Sequence, residues 1–182
     1  MKKVSLAPKV AVSLTAYDEN GNITGRYYNP LDLSTKQMAQ WVQASIFNTA
    51  ETITNTAGTG IAVTADTSPG TTILICAGTG TTAAAVTDYA LGTPIASGEY
   101  TAATASGSVA ATIGAYSGSG TSGSFTVTGT ITNSSTATIA YSEVGIVVGN
   151  GTNAYLLTHD VFSALNVSAN GTLAVTYTLT YE

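Results

Sequence analysis

The chain has 182 residues, 44% of them hydrophobic and only 8% charged, with ten acids against five bases and a formal net charge of −5. That length supports one domain with a substantial core. A charged fraction far below the roughly 25% of ordinary soluble domains describes a surface that cannot rely on charge repulsion and is expected to be covered in part by copies of itself or by partners.

Charge is also unevenly placed. Lys2, Lys3, Lys9, Arg26 and Lys36 all lie within the first 36 residues, beside Asp18, Glu19 and Asp32, whereas residues 37–182 hold seven acids and no Lys or Arg. Nucleic-acid readers draw their affinity from bases that neutralise phosphates, so that function is excluded for most of the chain. Disorder of the whole chain is disfavoured because disordered sequences are charge-rich and poor in β-branched residues.

Met1-Lys2-Lys3 and the mildly apolar stretch after it have the outline of a secretory leader. Pro8 and Lys9 interrupt it, so no cleavage is expected. No run reaches the length of a membrane-spanning helix. The sequons at Asn22, Asn133, Asn150, Asn166 and Asn170 arise readily in a Thr-rich chain and carry no weight without secretion.

Val10, Val12 and Leu14 alternate with Ala11, Ser13 and Thr15, which predicts a strand, and Asn20-Gly21 supplies the two positive-φ positions of a tight hairpin into a second strand at 23–28. The dipeptide recurs at Asn150-Gly151 and Asn170-Gly171, again between apolar runs. One helix follows. Ser34 is its predicted N-cap, Gln37 the capping-box partner, and Leu33 staples to Met38; Met38, Trp41, Val42, Ser45 and Ile46 form one stripe that packs on the sheet.

Residues 49–67 are polar with a short apolar interlude at 61–63, which reads as a long loop or a weak edge strand. A buried strand at 72–77 contains Cys76, read as a core thiol, and stops at Gly78-Thr79-Gly80. No Lys follows that glycine turn and no helix opens after it, so it is a plain turn rather than a phosphate loop. Residues 117–123 read as a flexible connection. The strongest strands are predicted at 125–132, 139–148, 155–162 and 173–181, the last placing Leu173, Val175, Tyr177, Leu179 and Tyr181 on one face with Thr between them. Eight to ten strands suit an antiparallel β-sandwich of jelly-roll or immunoglobulin-like kind, a single domain over 1–182 with a hairpin and helix at about 10–48 packed on it.

Catalytic material is sparse. His159-Asp160 is adjacent on a predicted strand, so the two side chains face opposite ways and cannot act as base and orienter; one is expected to face solvent and the other to make a local polar contact. No Gly-x-Ser-x-Gly elbow is present. One His and one Cys make no metal cluster, so no catalytic residue, metal or cofactor is assigned. Tyr27, Tyr28, Tyr89, Tyr100, Tyr116, Tyr141 and Tyr155 are available as sugar platforms, but the acids are too scattered for glycoside hydrolysis. Thr126-Val127-Thr128 and Thr176-Tyr177-Thr178 resemble ice-binding ladders without the fixed repeat those require.

Gly78-Thr79-Gly80-Thr81-Thr82, Thr87-Asp88-Tyr89-Ala90-Leu91-Gly92-Thr93-Pro94-Ile95, Thr130-Ile131-Thr132-Asn133, Ser142-Glu143-Val144-Gly145-Ile146, Leu156-Leu157-Thr158-His159-Asp160-Val161-Phe162 and Gly171-Thr172-Leu173-Ala174-Val175-Thr176-Tyr177-Thr178-Leu179 resemble, in order and spacing, blocks of small β-rich virion proteins of tailed bacteriophages. The resemblance covers roughly residues 70–182. Where that family commonly carries Arg before the Asp of the later block, this chain has His159. The resemblance implies a structural subunit of the virion, a head decoration or tail component whose partners are copies of itself and the major capsid or tail proteins. A secreted adhesin or pilin-like module and a carbohydrate-binding module are the alternatives.

Overall fold

The computed structural model describes residues 9–47, 51–63, 72–95, 106–119, 122–149 and 152–181. Over these residues the protein is mainly β, with thirteen strands and one helix. The strands are β1 (Lys9–Tyr17), β2 (Ile23–Ser34), β3 (Glu51–Thr54), β4 (Gly60–Val63), β5 (Thr72–Gly78), β6 (Ser108–Ala110), β7 (Thr112–Ile113), β8 (Ser117–Ser119), β9 (Ser122–Thr132), β10 (Ile139–Gly149), β11 (Ala154–Leu156), β12 (Thr158–Val167) and β13 (Thr172–Tyr181); the helix is α1 (Lys36–Phe47). Pairing is antiparallel throughout, along the path β6-β5-β10-β12-β2-β1-β13-β9-β7, with β11 added to β10 and β8 to β9; β3 and β4 form a separate hairpin.

The path is continuous but not uniform. Between β12 and β2 only Thr158↔Ser34 and His159↔Leu33 are paired. Beyond that corner, side chains join the two strands: Asn29 Nδ2 donates to Asp160 Oδ1 at 3.1 Å, and the Tyr27 and Phe162 rings lie 5.1 Å apart. The two ends of the path also meet, because Val109 on β6 and Ile75 on β5 lie against Gly129 on β9. Gly129 has no side chain to keep them away. The main core fills the space so enclosed, with Val12, Leu14, Ile75, Val144, Val175 and Tyr177 among its buried members.

Alternation explains the long strands. On β13, Leu173, Val175, Tyr177 and Leu179 are buried between half-exposed Thr and Ala, while Tyr181 reaches the surface and stacks on Phe125. β10 behaves differently. Val144, Ile146 and Val148 face the main core, and Val147 faces a second small cluster with Leu74, Cys76, Leu91, Ala154 and Leu156. Its run Val144-Gly145-Ile146-Val147-Val148 is thus that of a strand buried on both faces.

Several local expectations are corrected. β2 runs on to Ser34, so Ser34 is not the N-cap; Thr35 precedes the helix, and its hydroxyl donates to Leu156 O at 2.6 Å and Leu157 O at 3.1 Å instead of capping. The side chain of Leu33, in the expected staple, lies outside the described residues, as does that of Ile46. Met38 is buried, and Trp41 packs half-buried on the main core with its indole Nε1 unpartnered. The helix touches β3 and β11.

The first hairpin uses one positive φ, at Gly21, not two; Asp18 closes the turn by accepting from the amides of Asn20 (2.9 Å) and Asn22 (2.8 Å). In the last hairpin it is Asn170 that takes the left-handed conformation, and Asn150-Gly151 lies outside the described residues. The segment 49–67, expected as a loop or weak edge strand, contains the β3–β4 hairpin, with β4 at the expected edge strand, and within the expected flexible connection Ser117–Ser119 pairs with 122–124 as β8. The strand expected at 155–162 is two strands broken at Leu157, whose amide donates to Ile146 O and whose carbonyl accepts from Thr35 N.

Candidate functional site

Between β5 and residue 95 the chain forms a long irregular loop that covers the outer side of β5, β10 and β11, with Leu91 entering the small cluster. Backbone with no strand partner needs other acceptors when buried. Glu143 supplies them. Its Oε1 accepts from the amides of Gly80 (3.0 Å) and Thr93 (2.6 Å), and its Oε2 from Gly92 (2.8 Å), so one carboxylate ties both ends of the loop to β10. The glycines are required by this geometry: a Cβ on Gly80 would stand 2.6 Å from the Glu143 carboxylate, and one on Gly78 would collide with it and with Thr93 O.

His159, on β12, completes the arrangement. Its Nδ1 is 2.7 Å from Asp88 Oδ2 and its Nε2 is 3.1 Å from Glu143 Oε2. Asp88 also accepts from the Ala85 amide at 2.7 Å. The expectation that one of His159 and Asp160 faces solvent is therefore wrong. Both are buried, because the loop covers one face of β12 and β2 lies along the other, where Asp160 meets Asn29. The alternation argument holds in that the two side chains take different partners. Neither contact is local: His159 reaches across 71 residues to Asp88 and 16 to Glu143.

Burial alone would push the Glu143 carboxyl up. The His159 bond and the amides of Thr93, Gly92 and Gly80 outweigh it and leave the carboxyl below its ordinary 4.5. Burial likewise opposes charge on His159, but the bonds to Glu143 and Asp88 and the charges of both carboxylates raise it above 6.5. With a carboxylate oxygen on each ring nitrogen, only the imidazolium can donate to both.

Both imidazole nitrogens are engaged; nearby, the Ser142 hydroxyl donates to Gly80 O at 2.9 Å, and Thr158 Oγ1 accepts from Ile146 N at 2.9 Å. Among the described residues no group of three His, Cys, Asp or Glu is placed to ligate a metal. Cys76 is buried in the small cluster and forms no disulfide.

A second feature is the outer face of β9, β13, β1 and β2. Register sets hydroxyls in rows across it: Thr126 beside Thr178, Thr128 beside Thr176 and Ser13, and Thr132 beside Thr172. Lys9 and Arg26 are the charged side chains of these rows. A groove of about 290 Å³ runs here, lined among others by Ser13, Tyr28, Pro30, Thr176, Thr178 and Thr180. The candidate sugar platforms do not gather around it. Tyr141 and Tyr155 are core residues, Tyr27 packs tilted against Phe162, Tyr116 lies over Gly118 and Gly123, Tyr89 over Gly58, and Tyr100 lies outside the described residues. Among the described residues, Tyr28 is the one of these tyrosines that borders the groove.

The bridge was not visible in the sequence because its three members lie in separate blocks. The readable hint was the company of each acid: Gly78, Gly80 and Gly92 around a run with no helix, and Glu143 within an otherwise apolar strand. Comparison of the chain with protein-family models, with characterised proteins and with solved structures returns no match.

Proposed function

We propose that this chain is a structural subunit of a tailed-virus particle, a head decoration or tail component whose task is assembly rather than catalysis, and which meets copies of itself and the major capsid or tail proteins. What carries the reading is the hydroxylated face of β9, β13, β1 and β2. Thr and Ser lose far less on desolvation than ions do and can satisfy a partner's backbone groups across an interface. The likeness of the 70–182 blocks to β-rich virion proteins supports the same reading. On it, β6-β5-β10-β12 and β2-β1-β13-β9 are the two layers of one sandwich domain of jelly-roll or immunoglobulin-like kind, joined at the short β12–β2 contact, and the protein resides in the virion.

Sedimentation of the purified chain, alone and with particles lacking it, tests the proposal. A closed homo-oligomer or co-sedimentation with the particles is the expected result. A monomer at high concentration that leaves the particles unbound refutes it. The Tyr28 groove favours a second reading, a carbohydrate-binding module with the ring as stacking surface and the Thr hydroxyls as hydrogen-bonding partners. Saturable glycan binding lost in Tyr28→Ala would select that reading.

A further inference from the structure

The two carboxylates that meet His159 are not equivalent. Glu143 has 1% of its side-chain surface exposed and accepts three loop amides besides the ring; Asp88 has 27% exposed and sits on the loop itself, at the turn closed by the Ala85 amide. Among the described residues, the other groups that the neighbouring strands bring beside the ring carry no counter-charge. β5 contributes Gly78 and, on the same face, the Cys76 thiol; β2 joins through the Leu33 backbone; Asp160 lies on the opposite face of β12 with Asn29. A neutral imidazole donates from one nitrogen only, so the other would set a lone pair against a carboxylate oxygen. One of the two bonds must then break, and Asp88 is the partner with access to water.

We propose that the 85–91 part of the loop is a proton-controlled latch, held down while His159 bridges Asp88 and Glu143 and lifted at the Asp88 end when the ring gives up its proton at alkaline pH, with the Glu143 clamp on Gly80, Gly92 and Thr93 left in place. The same segment bonds the start of the helix, where the Lys36 amide donates to Val86 O at 2.7 Å. It also carries Val86 and Tyr89, both exposed on the surface. Lifting it frees the Lys36 amide and changes what this side of the protein presents.

His159 is the only histidine in the chain, so its ring resonances need no assignment, and the proton on the ring is read directly by NMR. Amide exchange is followed in parallel from about pH 6 upward until the ring resonances show the neutral imidazole, and corrected for the intrinsic dependence on hydroxide. Protection of the Lys36 amide is expected to fall by about tenfold or more as the ring deprotonates, while Gly80, Gly92 and Thr93 keep theirs. In Asp88→Ala the Lys36 amide is expected to be weakly protected already at the acid end and to show no further step. The proposal is overturned if Lys36 protection does not follow the ring, if all four amides open together, or if Asp88→Ala exchanges like the wild type. A ring already neutral at the acid end overturns it as well.

Discussion

Glu143 shows what one buried acid can do for a segment with no regular structure. A carboxylate accepting three amides and facing an imidazolium is a charge whose surroundings complete its solvation, and removing the charge leaves those donors to share one weaker acceptor and the imidazolium without its counter-charge. Glu143→Gln places an amino group among them and is expected to cost about 3–5 kcal/mol in chemical denaturation; a loss under about 1 kcal/mol, the range of an exposed ion pair, would mean that the loop is held by its apolar contacts instead. The same cluster sets the pH profile. His159 is raised above 6.5, so its contribution is complete below that value and is lost as pH rises through the folded value. Glu143 is lowered below 4.5, so its contribution is complete above that value and is lost as pH falls through the folded one. Stability should therefore peak between about 4.5 and 6.5, which thermal melts across pH will check. At the alkaline end Tyr141, whose hydroxyl donates to Ser106 O at 2.8 Å, is pushed by burial to about 12. It withholds its proton where the unfolded chain releases it, so a further decline is expected to begin near 10.

At the scale of elements, turns and strand faces have different degrees of legibility. The first hairpin was legible because alternation on both sides of 18–22 is strong, and the structure adds that only Gly21 needs the left-handed region, with φ at 81°. Nothing lies within 4 Å of where its Cβ would stand, so Gly21→Ala isolates backbone strain and should cost about 1–2 kcal/mol in equilibrium unfolding, with Gly21→Asn costing less. An equal loss for both variants would point to a contact rather than to φ. The helix was readable from its stripe but displaced by one residue at its start, because Thr35 spends its hydroxyl on the carbonyls of Leu156 and Leu157, long-range partners that local capping rules cannot contain. β3 and β8 were missed, and β4 was read only as a weak edge strand, for a related reason. Their residues are mostly Thr, Ser, Gly and small apolar side chains, and what makes them strands is the partner rather than the pattern. The bridge lay further out of reach, since it depends on an irregular loop meeting two strands.

For the molecule as a whole, the sheet's outer surface is the feature from which assembly is argued. Thr176 lies in register between Thr128 and Ser13, near the middle of the hydroxylated rows. Thr176→Lys leaves the pairing intact and sets a strongly hydrated charge at the centre of the proposed interface. If that face mates, the variant is expected to weaken self-association or particle binding by tenfold or more, the scale of about 1.4 kcal/mol, with the melting temperature of the isolated chain unchanged. Undiminished assembly would move the interface elsewhere on the protein.

Cys76 is the only cysteine in the chain, and it lies in the small cluster that includes Leu91 of the loop. A thiol reagent cannot reach it with that cluster closed, so labelling proceeds through openings of the protein, and its rate counts them. The sequence thus contains a built-in clock for the motion of one segment, read with a colorimetric reagent on unmodified protein. If only the Asp88 end of the loop moves, labelling should rise across the His159 titration no more than thiolate formation accounts for, because Leu91 is held by its neighbour Gly92; if the whole cover lifts, labelling will quicken with pH more steeply than that.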